Sequence, residues 1–302
     1  MLSLALFGGI TFGEEVPRVT IATHRFGNVQ LMTVGIDGSD PQQLTNEPDG
    51  ATQASWSPDG TKVAYVAGAQ YHGKIKIMDA DGKNARVLLD GRSNQRTPQW
   101  SPDGKRIAFS MLVNRNYDLF SIDVDGNDLK TLADSPKFEA DPAWSPDGSK
   151  IAYVTAADGE YPRLCLMNAD GTDQKEVLDH TLNVAVYPSW TSDGKQITYG
   201  GPDEEGKVQV MQVNVDGTGN TMLTRGATPH SYAAWSPDGQ YLTYVSDPGA
   251  ESGDLCIYDV LTGEHRVALA GEVFQQLFRD ARPAWAPQYF LKQAKNSDAS
   301  AK

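Results

Sequence analysis

The hexapeptide Ser55-Trp-Ser-Pro-Asp-Gly60 returns at 99–104, 143–148, 189–194 and 234–239 with small substitutions, and a degraded sixth copy reads Pro283-Ala-Trp-Ala-Pro287. Together the copies contain every Trp of the sequence, at 56, 100, 144, 190, 235 and 285, spaced by 44, 44, 46, 45 and 50 residues. A chain written on such a period folds as a repeat. A period in the forties with strand-rich content reads as the blades of a propeller, because helical arrays of similar period carry a 3.6-residue apolar rhythm that is missing here.

The phrase itself is a hairpin turn. Pro presets φ at the second turn position, Asp tolerates the next, and Gly supplies the left-handed residue from which the second strand starts. The runs that follow, such as Lys62-Val-Ala-Tyr-Val66 and Lys150-Ile-Ala-Tyr-Val154, are apolar on both faces rather than alternating. Small sheets sandwiched between neighbouring sheets need such strands. A second turn signal recurs in each unit at Gly35–Gly38, Asp79–Gly82, Asp123–Gly126, Asn168–Gly171, Asn214–Gly217 and Asp259–Gly263, with a short run after it. Each unit therefore has four strands, A to D, with strand A ending at the Trp.

The first unit enters at strand B, Arg18–Thr23, and the chain leaves on a strand A around Trp285. These pieces are complementary. The sequence predicts an all-β, six-bladed propeller of four-stranded antiparallel blades over 18–290, closed by residues 282–286 joining the N-terminal strands B to D. Residues 1–17 are an apolar segment without the Lys or Arg of a signal n-region, read either as the remnant of a signal peptide or as an ordinary docking segment. Residues 291–302 read as a disordered polar tail.

The phrase Pro-x-Trp-Ser-Pro-Asp-Gly-x-x-Ile-Ala-Phe/Tyr at 98–109 and 142–153, followed by Ile/Met-x-Asp-Gly, resembles the repeat of the TolB-like propellers, including the C-terminal propeller domain of TolB. The resemblance covers about residues 18–290 and implies the fold. Function is less constrained, because the same blade serves binding proteins, peptidase gating domains and polysaccharide lyases. The separate N-terminal domain of TolB has no counterpart before the first strand of this sequence, so the contacts of that domain are not carried over.

Composition narrows the partners. A formal net charge of −13 and a pI near 4.8 disfavour nucleic acid and anionic membrane surfaces, which select basic patches. The N-terminal apolar run is too short to span a bilayer, so no direct membrane insertion is expected. Cys165 and Cys256 occupy the same strand position in two non-adjacent repeats, too far apart for a disulfide, and read as small buried hydrophobes. A monomer is expected, periplasmic or otherwise extracytoplasmic if the first residues are a clipped signal.

Strand direction sorts the loops. The repeated A–B and C–D turns share one face, and the variable B–C and D–A links share the other. Variable links on a rigid ring are where recognition usually lives. The residues just before strand A, among them Gln53 and Thr97, are expected to ring the channel on that face. The candidate ligand or partner site comprises Arg96, Asp141, Tyr187, His230, Tyr232 and Arg282, whose aromatic and arginine side chains are of hot-spot type. The alternative is ordinary loop packing.

Chemistry gives weaker signals. No Gly-x-Ser-x-Gly elbow occurs, which argues against a prolyl-peptidase type of activity. His24, His72, His180 and His230 fall on the variable face but on different blades, and His265 lies near a strand D; scattered imidazoles are a poor metal-lyase signature. Asp123-Val-Asp-Gly126 has its Gly at the wrong position for an EF-hand. No catalytic residue, metal or cofactor is assigned. The reading is a non-catalytic protein-binding or scaffolding propeller, which takes a protein or small ligand at the channel mouth. The alternative is a carbohydrate-active enzyme, a polysaccharide lyase or glycoside hydrolase, with its site in the same mouth.

Overall fold

The computed structural model describes residues 16–68, 72–91, 93–157, 159–178, 186–247, 252–274 and 282–287. Among them every regular element is a β-strand, and the strands form six four-stranded antiparallel sheets. Blade 1 takes its strand A, Ala284–Trp285, from the far end of the chain and its strands B to D from Arg18–Thr23, Gln30–Gly35 and Gln42–Gln43. Blades 2 to 6 follow in sequence, with inner strands Ala51–Trp56, Gln95–Trp100, Phe138–Trp144, Val186–Trp190 and His230–Trp235.

Closure is made by register as the sequence predicts: Trp285 pairs with Val19 and Ala284 with Thr20, and the Ala286 N–H donates to the Arg18 carbonyl at 3.0 Å. Trp285 also packs with Val19, Ile21 and Met32 of blade 1 and Ala234 and Val245 of blade 6. Every apolar cluster of this kind is an inter-blade layer. Ala64, Ile75 and Ile77 of blade 2, for instance, meet Trp100, Ile107 and Phe109 of blade 3. The second strands are sealed on both faces because each lies between two sheets.

Each hairpin turn is cross-braced by its own polar residues. In the first complete one, Ser57 Oγ donates to Asp59 Oδ1 at 2.6 Å, the Thr61 N–H donates to the same oxygen at 3.0 Å, and the Lys62 N–H donates to Ser57 Oγ at 2.9 Å. The Gly60 N–H closes on the Ser57 carbonyl with φ of 69°. In five of the six C–D turns the Gly has a second duty. At Gly171, φ is 88° and a Cβ would lie 2.6 Å from the Leu132 carbonyl oxygen of the preceding blade; at Gly38 it would lie 2.7 Å from that of Ala268 across the closure. A side chain there would pry two blades apart.

The indoles hold blades together as well. The Nε1–H groups of Trp190 and Trp285 donate at 2.9 Å to the carbonyls of Ala143 and Ala234, each the residue before the Trp of the preceding blade. Trp56 Nε1 donates to Thr20 Oγ1 at 3.0 Å. Those of Trp100, Trp144 and Trp235 are buried without a partner.

Candidate functional site at the channel

The inner strands are not straight. In blades 2 to 6 the pairing of strand A with strand B slips between the fourth and the first residue before the Trp: between Thr52 and Ser55, Arg96 and Gln99, Ala140 and Ala143, Val186 and Ser189, and Ser231 and Ala234. The first bulged residue is left-handed each time, with φ of 58° at Gln53, 50° at Thr97, 54° at Asp141, 57° at Tyr187 and 57° at Tyr232. None is Gly. Non-glycine residues held in this region cost on the order of 1–3 kcal/mol each and persist only where the surroundings enforce them. Arg282 holds the corresponding position in blade 1, three residues before Trp285.

Neighbouring bulges touch. Gln53 Oε1 accepts from the Thr97 N–H at 2.9 Å, and Thr97 Oγ1 lies 2.8 Å from Ser110 Oγ. The rings of Tyr187 and Tyr232 lie with centroids 4.2 Å apart at 34°. Arg282 crosses from blade 1 past blade 6 to blade 5, where its Nη1 donates to the Pro188 carbonyl at 3.2 Å. Four of the six expected site residues, Asp141, Tyr187, Tyr232 and Arg282, thus share one layer of the ring.

Arg96 and His230 lie elsewhere. The Arg96 guanidinium sits 4.9 Å over the Tyr117 ring on strand C of its own blade; Tyr117 in turn meets Phe138 edge-on at 5.8 Å and accepts from Asn94 Nδ2 at 2.7 Å. His230 is buried, with its Nδ1 unpartnered, and its ring is 5.0 Å from that of Tyr244. A Cβ on Gly226 would lie 2.7 Å from its Cε1, so the imidazole rests on bare backbone. Burial, then the neighbouring His265, hold its pKa below the usual histidine range. His265 Nδ1 lies 3.1 Å from the Tyr244 hydroxyl. His180 falls outside the described residues, and among those described no three His, Cys, Asp or Glu groups are placed to share a metal.

Two features were not anticipated. A cavity of about 390 Å³ runs along the channel from Arg282 to the hairpin turns, walled by all six Trp and by turn prolines such as Pro58, Pro102 and Pro146. The indoles are therefore both inter-blade contacts and channel wall. Beside the loop face, Glu139 is only 2 % exposed; its Oε1 accepts from Ser135 Oγ while its Oε2 has no partner. Burial, reinforced by Asp118 and Asp134 and opposed by the Ser135 bond, pushes its pKa up to about 7. Burial and Asp134 also raise that of Asp118. The Pro after Thr97, Asp141, Tyr187 and Arg282 was the available sign of irregular inner strands, since Pro lacks the donor a central strand needs.

The model of the TolB beta propeller domain matches residues 60–291. No curated protein matches the chain. Among solved structures, TolB from Acinetobacter baumannii aligns with a TM-score of 0.73 at 21% identity, over 89% of this chain and 66% of that one. This chain thus spans about two thirds of that TolB. A TolB-type protein from Agrobacterium tumefaciens aligns with a TM-score of 0.70 at 20% identity, over 86% of this chain and 92% of that one. An oligogalacturonate lyase from Vibrio parahaemolyticus aligns with a TM-score of 0.61 at 15% identity, over 89% and 80% respectively. At these identities the likeness is one of fold.

Proposed function

The chain belongs to the TolB beta propeller domain family, and from that premise we propose that it is a non-catalytic binding module that recognises a protein or small ligand through the loop face around its channel. The observation that carries this reading is the layer of five left-handed, non-glycine residues on the inner strands. Backbone strain repeated at one level of a rigid ring, and kept in residues with large or polar side chains, is expected where those side chains must be aimed. The stacked Tyr187 and Tyr232 provide a flat amphipathic contact, and Arg282 and Asp141 bring opposite charges to the same layer. Such groups bind without further ordering, which lowers the entropic cost of association. We place the module outside the cytoplasm; N-terminal sequencing of natively expressed protein that returned an intact Met1 would contradict export.

The test is the joint replacement of Arg96, Tyr187, Tyr232 and Arg282 by Ala, with cross-linked pull-down and native mass spectrometry as readouts. The variant is expected to lose every partner or ligand captured by the parent while retaining a cooperative thermal transition. Capture unchanged in a folded variant refutes a loop-face site.

A further inference from the structure

The other end of the channel has its own chemistry. Its wall is mostly Trp and Pro, with Ser55, Gln99, Ser189 and Ser236 set between them, and among the described lining residues Arg282, at the inner end, is the one formal charge. At the rim, each turn places an Asp directly after a lining residue: Asp59, Asp103, Asp147, Asp193 and Asp238 follow Pro58, Pro102, Pro146, Ser192 and Pro237. In the first four, the Ser or Thr hydroxyl two residues earlier, followed by the backbone N–H two residues later, holds the carboxyl below the usual carboxylate range. Lys105 and Lys195 approach Asp103 and Asp193 at 4.0 and 3.6 Å, whereas Thr61, Ser149 and Gln240 stand at the matching positions of the other three turns. The rim is a ring of anions around a funnel walled mainly by Trp and Pro.

We propose that this turn face is a docking site for a peptide segment that lodges one apolar side chain in the funnel and sets flanking Lys or Arg residues over the Asp ring. The two signs of charge fix the register. A cation placed deep would meet Arg282, and an acidic segment would meet five carboxylates at the entrance, so an uncharged centre with basic flanks satisfies both, and the Trp and Pro faces favour an apolar one. The overall charge of −13 steers such a segment from a distance. This site lies at the opposite end of the channel from the loop-face site and stands or falls independently of it.

The probe is a dye-labelled, C-terminally amidated Arg-Lys-Phe-Leu-Lys-Arg peptide, titrated against the full chain by fluorescence anisotropy. Comparison peptides carry Glu at the four basic positions or Ala-Ala at the centre. The triple variant Asp59→Asn, Asp147→Asn, Asp238→Asn keeps a side-chain oxygen for the turns and is expected to bind the probe at least about tenfold more weakly, with a flatter salt dependence. Gln99→Lys, a lining change that leaves every turn intact, is expected to weaken it about threefold or more. The Ala-Ala peptide is expected to bind more weakly and the Glu peptide not at all. Probe binding unchanged in both variants overturns the proposal, as does equal binding of either comparison peptide. Loss of binding on Tyr187→Ala with Tyr232→Ala instead assigns the probe to the loop face and also overturns it. Tighter probe binding after removal of residues 288–302 overturns it in favour of the chain's own tail as occupant.

Discussion

A carboxyl buried beside two others cannot ionise without cost, and Glu139 is in that position against Asp118 and Asp134. Its pKa rises from 4.5 in the unfolded chain to about 7 in the folded one, so between those values the folded state holds the extra proton. Stability from this group is complete below about pH 4.5, falls as pH rises through the window, and is gone above about 7. Glu139→Gln keeps the shape and removes the charge. It is expected to leave stability unchanged at pH 4, raise it by roughly 3 kcal/mol at pH 8, and flatten the profile between. Urea melts across that range check this, and an unaltered slope in the variant assigns the pH dependence to another group. The two thiols lie at the inert extreme, since burial pushes Cys165 up to about 12 and Cys256 to about 11. Sequence could not reveal the Glu139 triad, because three acids from a strand C, a D–A link and a strand A have no common spacing.

At the scale of single elements, the C–D turns differ in a way that substitution can read. Gly171→Ala must strain φ at 88° and also push on the Leu132 carbonyl of the preceding blade, whereas Gly263→Ala meets only the strain of φ at 72°, with open space around it. Thermal or chemical unfolding is expected to show a loss of about 1 kcal/mol at Gly263 and about 2–4 kcal/mol at Gly171; equal losses contradict the wedge between blades. The five complete turn phrases were legible because Pro, Asp and Gly each enforce a backbone conformation locally. The inner-strand bulges were legible only in outline. Their Pro residues hinted at irregularity, but the left-handed Tyr187 and Tyr232 follow from how six strands crowd a common axis, which no local rule encodes. For the same reason the sequence grouped Arg96 and His230 with the ring, although Tyr117 and Gly226 hold them away from it.

For the molecule as a whole, the strand around Trp285 holds the first and last blades together. The seam has further ties, since Arg266 Nη1 donates to the Ile36 carbonyl at 2.6 Å and Arg25 pairs with Glu272 at 3.4 Å. Removing residues 282–302 takes away the inner strand and the Trp285 side chain together, and truncating a buried aromatic alone costs about 3–5 kcal/mol. The truncated chain is expected to melt well below the parent, while removal of 288–302 leaves the transition near that of the parent. A 282–302 deletion melting at the parental temperature refutes the closure. This part of the architecture was readable in advance, because a set of strands lacking its A member at one end of the repeat and an isolated A strand at the other admit one economical pairing. During synthesis that pairing imposes a delay. At about 5–20 residues per second, Val19 leaves the ribosome on the order of tens of seconds before Trp285 exists. Through that interval the earliest sheet has a bare inner edge, and what shields it in the cell governs how much of the newly made protein reaches the closed ring.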